Sequence, residues 1–196
     1  MLSEQEDAVM KLSSESRNSG VAKATSLLVS SKLAIYRLAK WVAILSIVAM
    51  FLSLMTGVFV RYVLSTNLVW ISEVPNVFFP WLTMSAIVAA AAKNEHIGIN
   101  LIVDHLPAMV RNSVIFSTNA LAMVAFAIMA YYGLDIIGIA GDQRLPATKI
   151  AMSWAYWSVV VGFAALAVVS LINIMMLLVG HAEHSASIVS HGEEVL

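Results

Sequence analysis

His181 and His184 are spaced so that a helix would place both imidazoles on one face, a geometry able to hold a metal ion. The chain has no cysteine to join them, which also removes disulfides, thiolate nucleophiles and iron–sulfur ligation. The pair stands in a polar C-terminal segment, and a solvated tail accounts for it better than a metal site. Haem ligation between helices wants histidines inside apolar segments, yet His96, His105, His181, His184 and His191 all fall outside them. Serine, histidine and aspartate are present, but no nucleophile elbow brings them together. Neither a metal nor a cofactor is expected in this chain.

The elements that would have to position any chemistry emerge from where charge is missing. Trp41 to Val60 holds 20 residues without a charge, Val74 to Ala92 holds 19, Asn112 to Leu134 holds 23 and Ile150 to Gly180 holds 31. About 20 predominantly apolar residues cross a bilayer as a helix. The runs are continuously apolar and lack the two-residue alternation of a β-barrel. The fold class is therefore an all-α integral membrane protein with four transmembrane helices, over about 41–61, 73–92, 112–136 and 152–179. The last run exceeds a straight span and should tilt, or open with an interfacial turn around Met152 to Trp157. Composition agrees: 60% of the 196 residues are hydrophobic and 12% charged, and the mean hydropathy is +0.86. A soluble enzyme, a disordered chain and a nucleic-acid binder are excluded, the last because 11 Lys+Arg against 12 Asp+Glu leave no basic excess.

Residues 1–20 read as a disordered N-terminal tail rather than a secretory signal, with Glu4, Glu6 and Asp7 near the start. In residues 21–40, Leu28, Ile35, Leu38 and Val42 recur at helical spacing beside Lys23, Lys32, Arg37 and Lys40. That pattern suits an interfacial amphipathic helix leading into the first span, and equally a basic flank that sets topology. Residues 181–196 read as a second disordered tail. Eight Lys and Arg flank the membrane on the side of the termini, against Arg61, Arg144 and Lys149 on the other. The positive-inside rule then places both termini in the cytoplasm. Tyr62, Trp70, Tyr131, Tyr132, Trp154, Tyr156 and Trp157 would form the outer aromatic belt, and Tyr36 and Trp41 the inner one.

Ionisable side chains at membrane depth default to a functional reading; the four spans hold them only at their ends, with Asp135 near the outer end of the third. Arg61 and Glu73 sit at span ends. Ser72 is placed to cap the second helix, Glu73 to favour the positive end of its dipole, and Pro75 is tolerated in a first turn. The other reading turns Glu73 toward Arg61 or a partner subunit. Pro80 bends the second span, with Asn76, Thr83 and Ser85 near enough to satisfy freed backbone groups. The small residues from Ser85 to Ala92 permit close helix packing, within the chain or on another protein. Trp81 lies about 3 Å from mid-span at a 1.5 Å rise per residue, so its N–H needs a protein partner. Asn76, Ser85 or a backbone carbonyl freed by Pro80 could serve within the chain, and a packed position on a larger partner is the alternative. Residues 93–107 alternate polar and apolar groups and read as an interfacial turn or short helix braced by His96 and Asp104.

Taken in order, Arg61-Tyr62 at the end of span one, Trp70-Ile71-Ser72-Glu73, Trp81, then Lys93, His96-Ile97 and Val103-Asp104 resemble the small membrane subunit of tripartite ATP-independent periplasmic (TRAP) transporters. Ser153-Trp154-Ala155-Tyr156 and Gly162-Phe163 are similar as well. The likeness covers roughly residues 35–180. Val74 replaces a second acid common in the family, Ser85 a glycine and Val160 a proline. The resemblance implies a bacterial or archaeal inner-membrane protein that binds and scaffolds a large permease subunit and transports nothing alone. It implies sodium coupling in that large subunit, a periplasmic binding protein that captures organic acids, and a bilayer as the third partner. Arg61, Trp70, Glu73, Pro80, Trp81, His96, Asp104 and Trp154 are the motif positions carried over. Two other classes compete: a four-helix membrane enzyme, which would need a polar cofactor cluster on one face, and a stand-alone exporter, which would need an ionisable residue at depth.

Overall fold

The computed structural model describes residues 2–65, 68–93 and 108–193, with side chains over 23–65, 68–93 and 110–179. It is all-helical: α1 (Leu2–Val63), α2 (Val69–Ala92), α3 (Ala108–Ala140) and α4 (Ser153–Glu193). Each holds a stretch long and apolar enough to cross a membrane, within Lys23–Val63, Val69–Ala92, Val110–Ala140 and Ser153–Val179.

α1 is one unbroken helix. No glycine or proline interrupts 21–56, so nothing forces a bend where the basic flank meets the apolar run. Residues 21–40 therefore continue the span in line rather than forming a separate element, and Ile35 and Ala39 pack against Val88, Ala89 and Leu166. The backbone of α1 and α4 also remains helical through 2–20 and 181–193, the two segments expected to be tails. The side chains of His181, His184 and His191, and the whole of His96 and Asp104, lie outside the described residues.

α2 begins earlier than its charge pattern suggested. It starts at Val69 after Leu68, whose side chain makes no capping bond. The β-branched and aromatic run Val69-Trp70-Ile71 is thus already helical, and the Ser72 hydroxyl donates to the Val69 carbonyl at 2.7 Å instead of capping. Glu73 stands beyond the first turn. α4 is helical from Ser153, so an interfacial turn extends no further than Met152.

The helices form two antiparallel hairpins, α1–α2 and α3–α4, joined by α2 packing along α4. α4 is the central element: 39% of its most apolar window is buried, against 6% for α1 and for α3. Val169 and Ser158 of α4 are the most deeply enclosed side chains. Three glycines set the helix crossings. A β-carbon on Gly57 would come within 3.1 Å of Ile71, one on Gly133 within 2.8 Å of Val160, and one on Gly162 within 2.5 Å of Met84. Backbones can approach this closely only where one partner lacks a side chain. Phe126 and Phe163 stack across α3 and α4 with centroids 6.1 Å apart.

Candidate functional site

Glu73 is 5% exposed, and its carboxylate is held by the connection between α3 and α4. One oxygen accepts from the Ala147 backbone N–H at 2.7 Å. The other accepts from the Thr148 N–H at 2.8 Å and the Thr148 hydroxyl at 2.7 Å. Two successive amides presented to one carboxylate make a small anion-binding concavity. The connection can present them because it is itself closed. Arg144 and Ala151 form an antiparallel bridge, Leu145 N–H donates to the Ile150 carbonyl at 3.0 Å and Met152 N–H to Gln143 at 2.8 Å. Lys149 takes a left-handed φ of 56° at the tip, and Leu145 is buried beneath it. Glu73 accordingly neither opens the dipole of α2 nor meets Arg61. It ties α2 to a loop more than seventy residues away.

Around this clasp, α2 makes two further polar ties. Pro75 has no N–H to give the Ile71 carbonyl four residues earlier, and Ser53 of α1 donates its hydroxyl there at 2.8 Å. The Trp81 indole N–H donates to the Trp154 carbonyl of α4 at 3.0 Å. Its partner is thus a backbone carbonyl across the α2–α4 contact, not Asn76, Ser85 or a group freed by Pro80. Thr83 and Ser85 also depart from expectation. Thr83 donates to Phe79 at 3.0 Å, and Ser85 to the carbonyls of Trp81 and Leu82, so neither serves the carbonyl that Pro80 leaves bare. Ser85 and Ala92 of the small-residue stretch are buried within the chain, while Ala86 and Ala90 face outward. Trp154 itself is 63% exposed, and Trp70 and Arg61 are exposed as well.

A second polar chain, which charge spacing alone does not reveal, crosses three helices. Lys32, 9% exposed, donates to the Asn173 side-chain oxygen at 2.8 Å. The Asn173 amide donates to the Asn119 oxygen at 3.2 Å, and the Asn119 amide to the Ile115 carbonyl at 2.9 Å. α1, α4 and α3 are linked at the end of the bundle opposite the Glu73 clasp. Beside it, the Lys93 ammonium stands 5.9 Å from the centre of the Tyr36 ring, within cation–π reach. The signal was available: two asparagines inside otherwise apolar runs are polar groups that need each other. The structure thus brings together Glu73, Trp81 and Trp154 through α2, α4 and their loop, and leaves Arg61 and Trp70 apart from them. Among the described residues no three His, Asp or Glu side chains gather as metal ligands.

This architecture, four helices long and apolar enough to cross a membrane with their buried polar groups bonded to one another, is that of a multi-pass membrane protein. Residues 50–180 match the family described as tripartite ATP-independent periplasmic transporters, DctQ component, and the chain belongs to that family. It is 24% identical over 122 residues to a protein of Haemophilus influenzae named as a TRAP transporter small permease protein, covering 62% of this chain and 74% of that one. It is 30% identical over 139 residues to the uncharacterised protein y4mM of Sinorhizobium fredii. That match takes in 70% of this chain but only 26% of y4mM, so the chain spans about a quarter of that longer relative.

Proposed function

We propose that this chain is the small membrane subunit of a sodium-driven TRAP transporter for organic acids, which binds and scaffolds the large permease subunit and moves no substrate alone. The family match over 50–180 carries the reading. The geometry supports it. The buried ionisable side chains described, Glu73 and Lys32, are both engaged by other parts of the same chain, whereas translocation needs polar groups that can exchange partners with substrate or ion. Sodium coupling and substrate contact then belong to the large subunit, capture of the organic acid to a periplasmic binding protein, and no catalysis to this chain. The exposed apolar faces of α1 and α3 offer surface to that partner and to lipid. The excess of eight against three Lys and Arg supports an orientation with both termini on the cytoplasmic side of an inner membrane, in which the Glu73 clasp would face the periplasm.

The test is reconstitution. Proteoliposomes with an inward sodium gradient, the binding protein and a labelled carboxylate should show uptake with both membrane subunits. They should show none with this chain alone. Uptake by this chain without the large subunit, or full-rate uptake by the large subunit without this chain, would overturn the reading.

A further inference from the structure

We propose that the groove between the last turns of α1 and the first turn of α2 binds one phospholipid, its phosphate on Arg61 and an acyl chain along the apolar wall. The groove has a volume of about 280 Å³ and is lined by Leu54, Gly57, Val58, Arg61, Tyr62, Leu68, Ile71 and Ser72. Leu54, Val58 and Arg61 follow one face of α1 at helical spacing, and Gly57 supplies the recess between them and Ile71. Arg61 stands two residues before the end of α1, about 3 Å along the axis at 1.5 Å per residue. It therefore sits at the level where a long basic side chain reaches a headgroup while its stem covers apolar surface.

Arg61 makes no hydrogen bond or ion pair among the described residues, since Glu73 is occupied by Ala147 and Thr148. A planar guanidinium with open donors at this depth matches a phosphodiester, which it can take in bidentate fashion. The Tyr62 phenol, 80% exposed, flanks the same rim. Chemistry decides the occupant below. The wall under Arg61 is apolar at Leu54, Val58 and Leu68, so a ligand that joins an anionic head to an apolar tail matches both parts of the groove at once. A small free anion would leave Leu54, Val58 and Leu68 uncovered. The inference rests on this groove and is independent of the transport reading.

The experiment uses the full chain in nanodiscs containing a phospholipid with a photoactivatable acyl chain, with adducts mapped by mass spectrometry. Adducts should concentrate on Leu54, Val58 and Leu68 above the level at Leu121 and Ile139, which are exposed apolar controls elsewhere. Arg61→Gln should lower the groove adducts about five-fold and leave the controls unchanged, with Arg61→Lys falling between the two because lysine keeps the charge but not the bidentate fork. Val58→Phe, on an exposed position, should lower them with Arg61 intact. Groove adducts no stronger than those at Leu121, or indifferent to Arg61→Gln, would overturn the proposal. So would competition by free glycerol phosphate, which marks a small-anion site. Loss of the groove adducts, with the controls unchanged, when the large subunit is co-expressed would mark a protein interface and overturn it too.

Discussion

Gly162→Ala probes the contact that joins the two helical hairpins. Its new β-carbon would lie 2.5 Å from Met84 Cε, 2.8 Å from Met84 Cβ and 3.2 Å from Met84 Cγ. Ordinary carbon–carbon separation is about 3.5–4.0 Å. Cε is the tip of a flexible chain and can swing aside. Cβ is fixed to the backbone of α2, so α2 and α4 must part by roughly 0.7–1.2 Å at this level. Overpacking of this kind costs about 1–3 kcal/mol. Against it, alanine favours a helix interior over glycine by about 1 kcal/mol. The net expectation is a loss of up to about 2 kcal/mol. Gly138→Ala is the matched control, because nothing lies within 4 Å of a β-carbon there. It should keep the helix gain alone, so the two variants should change stability in opposite directions. Met84→Ala retains Cβ and should not rescue Gly162→Ala, whereas Met84→Gly should restore much of the close approach. The assay is unfolding of the purified chain in mixed micelles by SDS titration, followed by circular dichroism. Equal effects of alanine at Gly162 and Gly138, or full rescue by Met84→Ala, would refute the claim that a backbone-level contact sets this crossing.

Glu73→Ala should release the α3–α4 connection, read as faster tryptic cleavage after Arg144 and Lys149 and faster amide exchange at Ala147 and Thr148; Thr148→Val should do so more weakly, and unchanged rates would dismiss the clasp. Trp81→Phe, which keeps an aromatic ring but loses the bond to Trp154, should cost about 1 kcal/mol of bundle stability and leave co-purification of the large subunit intact. Trp81→Ala should diminish that co-purification, and its persistence at wild-type level would remove Trp81 from the partner interface. Reporter fusions after Arg111 and Gly141 should read cytoplasmic and periplasmic respectively, and a periplasmic signal after Arg111 would reverse the topology.

The four helices were legible because a bilayer imposes length and charge constraints that show directly as gaps in the sequence. The two proline positions were legible as well, but not what they required. Pro75 was read as a first-turn residue because Ser72 has the chemistry of a cap. In fact Val69, Trp70 and Ile71 extend the helix past it, and the carbonyl that Pro75 leaves open is met by Ser53 of another helix. Glu73 could not be matched to Ala147 and Thr148 from sequence, because both partners of the main bond pair are backbone amides, which every residue possesses. Lys32 was assigned to a surface flank for a related reason. Charge-free runs define span ends only when charged residues stay outside the bundle, and this ammonium lies against Asn173. Asn119 and Asn173 are invisible to a count of charges, because an amide is polar without being charged.

The distribution of these polar groups bears on how such a subunit works. Interactions between apolar helices in lipid gain little from the hydrophobic effect, so packing and hydrogen bonds must hold the bundle. Here the bonds fall at two levels. Glu73 with Ala147 and Thr148, Ser53 with Ile71, and Trp81 with Trp154 tie α1, α2, α4 and the intervening loop at one end. Lys32, Asn173 and Asn119 tie α1, α4 and α3 at the other. Between them the crossings rest on Gly162 and Gly133, where close backbones replace side-chain chemistry. A bundle tied at two levels and closely packed between them resists sliding and tilting of its helices. The same bonds explain how Glu73 and Lys32 can be buried, since each is held by partners in the same chain.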